Sequence, residues 1–187
     1  MAEKRKNWNG LISGFSASDL VFLDESGCNT DMTRRYAYSF GGSRAVDSTP
    51  LSKPKNTTIL SSIQLDGALR YTTFSGGTTV ERFKRYLETD LLPHLNGNSV
   101  LVMDNMKSHH AKAVKELLDS SGVRYIYLPP YSPDLNPIEK LWSKVKALLR
   151  KFKARTLNAL PNAIQNAFHS VTVSDCSGWF RFCGYAL

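Results

Sequence analysis

Two short apolar runs, SVLVMDN (99–105) and VRYIYL (123–128), enclose a segment whose apolar residues recur at helical spacing. No other feature of the chain constrains its fold as much. Runs of this length without polar alternation are strands buried on both faces. Two of them joined by a helix lie parallel, beneath a helical layer. The crossover helix is predicted over Ser108 to Ser120 through Ala111, Val114, Leu117 and Leu118, with Gly122 as its stop. DLVFLDE (19–25) is a third buried run.

The stretch NTTILSSIQLDGALRYTTF (56–74) gives two more strands joined by Asp66-Gly67, a dipeptide that suits the positive φ angles of a two-residue hairpin turn. Thr78 opens a helix in which Glu81 completes a capping-box spacing. Val80, Phe83, Leu87 and Leu91 form its apolar stripe, and Pro93 ends it. Residues 26–55 are rich in Ser, Gly and Arg, with weak strand signals near Tyr36 to Phe40. After residue 137, Ile138, Leu141, Trp142, Val145, Leu148, Leu149 and Phe152 repeat as a helix. A last helix is expected over Thr156 to His169, where Pro161 removes a hydrogen bond or delays the start. The order predicts a mixed α/β sheet of about five strands flanked by helices. It fills residues 19–170, after a polar lead-in (1–18) and before a C-terminal segment (171–187) packed on the domain.

Composition narrows the function. A chain of 187 residues with 42% hydrophobic and 21% charged content builds one globular domain. No apolar run approaches the roughly 20 residues of a membrane span. The basic N-terminus lacks the apolar core and cleavage site of a secretory signal. Cys28, Cys176 and Cys183 are odd in number and unevenly spaced, which points to reduced thiols in a cytoplasmic setting. With His94, His109, His110 and His169 they complete no zinc site. The 24 Lys and Arg against 16 Asp and Glu give a formal charge of +8, which favours a polyanionic partner. Seven of those bases (Lys140, Lys144, Lys146, Arg150, Lys151, Lys153 and Arg155) crowd between Glu139 and Arg155.

Three carboxylates stand out. Asp24 sits within or at the end of the first apolar run and Asp104 follows Val100 to Met103, so both are attached to strands that ought to be buried, where a charge is costly unless it is paired or bound to a cation. Asp104-Asn105 would also serve a turn, but two acids at comparable strand positions favour a metal site. Glu139 has a plainer explanation. Asn136-Pro137-Ile138-Glu139 is good helix-start chemistry, with Asn136 as cap, Pro137 at the first position and Glu139 at the third. The preceding loop tips the balance. LPPYSPDLNP (128–137) holds four of the chain's eight prolines. Each fixes one φ angle, so the loop sets the next helix at a defined place, which a metal ligand requires and a cap does not.

FLDESG (22–27), VMDNMKSHH (102–110) and LPPYSPDLNPIEKLW (128–142) resemble the signature blocks of the mariner-related DDE transposases, in particular those of bacterial insertion sequences. Thirty-four residues separate Asp104 from Glu139, a spacing typical of that superfamily. The likeness runs from about Val21 to WFRFCGY (179–185). It implies a ribonuclease H-like fold in which Asp24, Asp104 and Glu139 hold two Mg²⁺ ions, with Mn²⁺ able to substitute. It implies DNA as partner, as transposon ends and as target, typically at TA sites, and either a homodimer or a partner chain. Relatives carry N-terminal helix-turn-helix modules. Here the first catalytic strand begins near residue 19, so the likeness is to the catalytic half. The expected setting is a bacterial, nucleoid-associated cytoplasmic protein.

Around that site, Glu25 competes with Asp24, but the two point to opposite faces of a strand and only one reaches the metals. Alignment with the family selects Asp24. Asp134 is expected to stabilise its own turn, His109 to support the helix start or a ligand, and Trp142 to pack in the core. Trp179, Phe180, Phe182 and Tyr185 are expected to fold back onto the domain. Arg34, Arg35, Arg44, Lys107, Lys140 and Lys144 are the candidates for phosphate contact. Two rivals remain open: a nuclease on the same fold, and a non-catalytic DNA-binding remnant that regulates a complete transposase.

Overall fold

Strict alternation along one central strand decides what each face of the sheet presents. In the computed structural model, which describes residues 2–34, 36–51 and 54–185 (the side chains of 2–4 and 6 excepted), that strand is β1, Leu20–Cys28. β2 (Thr57–Ile63) pairs with it antiparallel, and β3 (Leu69–Ser75) extends the hairpin outwards. On its other side β4 (Val100–Met103) and then β5 (Arg124–Tyr127) run parallel, giving the order β3-β2-β1-β4-β5. The parallel pair requires a crossover, supplied by α3 (Lys112–Ser121), which Gly122 ends at φ 72°.

Phe22, Ile59, Ile63, Val100 and Val102 face one way, against α4 (Ile138–Phe152), α5 (Leu160–His169) and α6 (Val173–Phe182). Val21, Leu23, Leu60, Leu101 and Met103 face the other way, against Phe83 and Tyr86 of α2 (Val80–Tyr86) and Val114 and Leu118 of α3. Burying each such side chain is worth roughly 1.5–3 kcal/mol. A slip of one residue would exchange the two faces, so both apolar layers fix the register. The same alternation sends Asp24 toward α4 and Glu25 toward α2 and α3.

Several local expectations need correction. The hairpin loop is one residue longer than a two-residue turn. Gln64 N–H donates to the Ala68 carbonyl at 3.1 Å, Gly67 N–H donates to the Gln64 carbonyl at 3.2 Å, and Gly67 alone takes positive φ, at 86°. Thr79, not Thr78, caps α2, its hydroxyl accepting from Arg82 N–H at 3.3 Å. The crossover helix starts at Lys112 because 104–111 is spent in a loop, with a turn at 107–110, beside the site. Pro161 delays α5, which begins at Leu160. No strand forms near Tyr36 to Phe40. These residues lie in an excursion between β1 and β2, exposed and with no neighbouring strand to pair with. Lys153 bonded to Asp47, and Arg155 bonded to the Thr30 and Met32 carbonyls, hold that excursion against the end of α4.

The polar lead-in contains a helix, α1 (Ala2–Ile12), which drives Trp8 into the core at 3% exposure. At the other end Thr172 and Asp175 form a reciprocal capping box for α6. Phe180 and Tyr185 then pack on Phe22, with ring centroids 5.3 and 5.0 Å away. Among the described residues no helix is long and apolar enough to cross a membrane, and Cys28, Cys176 and Cys183 are buried and unpaired.

Candidate active site

Across the parallel pair β1/β4, Leu23 stands opposite Met103. Asp24, within β1, and Asp104, the first residue past β4, therefore lie side by side where the pairing of the two strands stops. The third carboxylate arrives on α4, whose position is set by the loop after β5. Leu128 N–H donates to the Met103 carbonyl at 2.8 Å, and Asn105 Nδ2 donates to the Leu128 carbonyl at 2.6 Å. The loop thereby starts pinned to the strand that carries Asp104. Asp24, Asp104 and Glu139 share one cleft of about 440 Å³ with Asn105, Met106 and the proline loop. Tyr131, on that loop, takes a left-handed φ of 55° and is exposed.

The capping explanation of Glu139 finds no support in the helix start. The Asn136 carbonyl accepts from Glu139 N–H at 3.1 Å, but its side-chain oxygen is buried without a partner. No side-chain capping bond forms at the start of α4. Glu139 lies at the open rim of the cleft. Partial burial raises the pKa of its carboxyl, Lys146 opposes that rise, and Asp104 adds to it.

Asp24 is only 9% exposed. Burial pushes its pKa from 3.8 up to about 7; the Glu25 backbone N–H and Trp142 draw it down, while the charges of Glu25 and Glu139 raise it. The Trp142 indole Nε1 donates to Asp24 Oδ2 at 3.0 Å. A residue expected only to fill the core thus also touches the site.

Glu25 is on the far face, where His109 joins it to the site. His109 is fully buried, with Nδ1 2.9 Å from Asp104 Oδ1 and Nε2 3.3 Å from Glu25 Oε1. Its ring stacks on Phe83, centroids 4.3 Å apart. Burial disfavours its charge, but the bonds to Asp104 and Glu25 outweigh that and raise its pKa to about 9. Asp104 is held below the usual carboxylate range: burial acts upward, and His109 together with the Met106 N–H, which donates to Oδ1 at 2.9 Å, acts downward more strongly. The supporting role expected of His109 is what its contacts allow, because both ring nitrogens are engaged.

Three carboxylates suit a hard divalent cation, and a buried acid facing two other acids favours one as neighbour. Yet among the described residues no three His, Cys, Asp or Glu side chains form a group that could hold a metal ion as they stand. The donor types fit such an ion and the three carboxylates line one cleft, where a bound cation would draw them together.

The candidate phosphate contacts scatter, and none of those described lines the cleft. Arg34 and Arg44 are exposed on the excursion, and Lys107 is exposed in the turn after Asp104. Arg35 lies outside the described residues. Lys144 is bonded to Asp175 of α6, and Lys140 Nζ sits 3.8 Å from the Phe182 ring centroid. Both therefore brace α6. Asp134 is likewise engaged elsewhere than in its own turn alone, bonded to Arg5 of α1.

Residues 19–160 match the family model described as DDE superfamily endonuclease. The chain belongs to that family. This DDE endonuclease is 28% identical over 97 residues to the Tc1 transposase of Caenorhabditis elegans, a match covering 50% of this chain and 36% of that protein. It is 33% identical over 75 residues to the Tcb2 transposase of Caenorhabditis briggsae, covering 40% and 28%. The chain thus spans well under two thirds of the curated relatives it matches. Among solved structures, a pre-cleavage Mos1 transpososome superposes with a TM-score of 0.81 at 20% identity, over 96% of this chain and 58% of that one. The catalytic domain of Mos1 mariner transposase gives 0.73 at 16%, over 96% and 85%. These likenesses show the fold, the ribonuclease H-like mixed sheet flanked by helices.

Proposed function

We propose that this DDE endonuclease is the catalytic domain of a transposase: it cleaves DNA at the ends of its own insertion sequence and joins the freed 3′-hydroxyl to target DNA, typically at TA. One observation carries the reading. Asp24 and Asp104 follow paired residues of adjacent parallel strands, and a stiffened loop brings Glu139 to the same cleft. Kinship with Tc1 and Tcb2 transposases supports it. So does Mos1, which has been solved in paired-end complexes with a left transposon end and with Mn.

Asp24, Asp104 and Glu139 would hold two Mg²⁺ ions, or Mn²⁺ in their place. When bound, such a pair stabilises the entering and departing oxygens of an in-line displacement at phosphorus. The protein's own groups prepare for this. His109 keeps Asp104 ionised and fixed in direction, and Glu25 anchors His109 from the other face. The acids act as ligands and not as covalent nucleophiles. Arg34, Arg44 and Lys107, together with Arg35, offer phosphate contacts, which position a duplex without reading its sequence. A second copy, or a chain carrying helix-turn-helix modules, completes recognition of the ends, in the cytoplasm where the element's DNA lies.

The test is nicking of supercoiled plasmid by the purified chain. Cleavage is expected with Mn²⁺ or Mg²⁺ and none with excess chelator; Glu139→Gln should fold and lose cleavage by orders of magnitude. A folded Glu139→Gln protein cutting at the wild-type rate overturns the assignment. DNA binding without cleavage under either metal supports the regulatory remnant instead.

A further inference from the structure

We infer that Trp142 is a positioning residue for Asp24: its indole N–H fixes Oδ2 on the α4 side and so decides which oxygen Asp24 presents to the cleft. The inference rests on the assignment of Asp24 as a metal ligand. The bond is 3.0 Å long, and its two partners are 4% and 9% exposed. A hydrogen bond to an ionised group in such surroundings is short, strong and directional. The ring itself has little freedom, since it belongs to the buried layer on α4 and meets Phe168 of α5 edge-on at 6.4 Å.

Helix geometry adds a consequence. Glu139 and Trp142 are three residues apart on α4, hence on neighbouring positions of one face. One rigid helix therefore delivers the third carboxylate and aims the first. The plainer account is that a buried indole N–H takes whichever acceptor is near. At position 142 the acceptor is a carboxylate of the cleft itself, so the bond holds Oδ2 whatever first brought the two groups together.

The experiment compares Trp142→Phe with replacement of Trp142 by benzothienylalanine, which keeps the bicyclic shape and removes only the N–H. The probe is Mn²⁺ alone, without DNA, titrated while thermal stability is followed. Loss of one charge-assisted bond should raise the half-saturating Mn²⁺ concentration about tenfold in both proteins. DNA affinity in chelator should stay unchanged, and excess Mn²⁺ should recover part of the cleavage. Glu139→Gln is the control. If it shifts the Mn²⁺ midpoint and neither Trp142 replacement does, the inference is overturned while the site stands. If Glu139→Gln also leaves the midpoint unmoved, the metal site itself fails and this inference fails with it.

Discussion

Asp24→Asn should make the metal-free protein more stable, and only above a defined pH. Asp24 has a folded pKa of about 7 against 3.8 unperturbed. Between those values the folded state binds more protons than the unfolded state, so stability falls as pH rises through the window. About three pKa units at 1.36 kcal/mol each amount to about 4 kcal/mol, absent near pH 4 and complete above pH 7. Asn cannot ionise, and its side-chain oxygen still accepts from Trp142. The variant should therefore match wild type near pH 4 and exceed it at pH 8, by roughly 8–16 °C in Tm at about 2–4 °C per kcal/mol. Paired thermal or urea unfolding curves in chelator, from pH 4 to 8, measure the difference directly, and taking the difference cancels the shared groups other than Glu25 and Glu139, whose charges act on Asp24. Adding Mg²⁺ at pH 8 should restore wild type far more than the variant. Parallel pH profiles for the two proteins in chelator would refute the reasoning, because Asp24 would then carry no burial cost.

Two other substitutions separate support from contact. His109→Ala leaves Asp104 and Glu25 without their shared cation and should cost roughly 3–5 kcal/mol in urea unfolding. Because His109 is raised from 6.5 to about 9, its charge stabilisation is full below pH 6.5 and lost as pH rises through 9, so the gap between variant and wild type should narrow at high pH to the packing lost with the ring. Lys144→Ala should lower Tm by a few degrees through the lost Asp175 pair, worth up to about 1 kcal/mol, and leave DNA affinity unchanged. The double variant Arg34→Ala, Arg44→Ala should instead flatten the salt dependence of DNA binding, by about 0.9 per lost phosphate contact in a log–log plot.

The sheet was legible because its signal is local. Apolar runs give strands, helical periodicity between them gives parallel pairing, and alternation along DLVFLDE already separates Asp24 from Glu25. What stayed hidden depends on partners distant in sequence. Trp142 lies on an apolar stripe, and periodicity reports that it is buried without saying what its N–H meets 118 residues away. Lys140 and Lys144 belong to a basic run that suggested an open phosphate-binding face. Their contacts with Phe182 and Asp175 come from α6, which packs beside them only in the fold. Trp8 was hidden by a polar surrounding, since among the described side chains of α1 it is the one fully buried aromatic, with Ile12 only partly buried beside the core, and so sparse a pattern hardly registers.

The proline loop has a physical reason that the helix start alone does not supply. A cap is satisfied within its own first turn, and a shift of α4 as a rigid body would leave such a cap unchanged. The same shift would move Glu139 relative to Asp104 and stretch the bond from Trp142 to Asp24, because both residues ride on that helix while both aspartates ride on the sheet. Fixing helix to sheet is therefore the demand on residues 128–137. The loop meets it at its start and along its length. Leu128 is bonded to β4 through Met103 and Asn105, and between there and α4 the prolines remove backbone freedom that would otherwise be lost on folding. Tyr131, held at a left-handed φ among them, shows that the path is imposed by its surroundings and not by the preference of each residue.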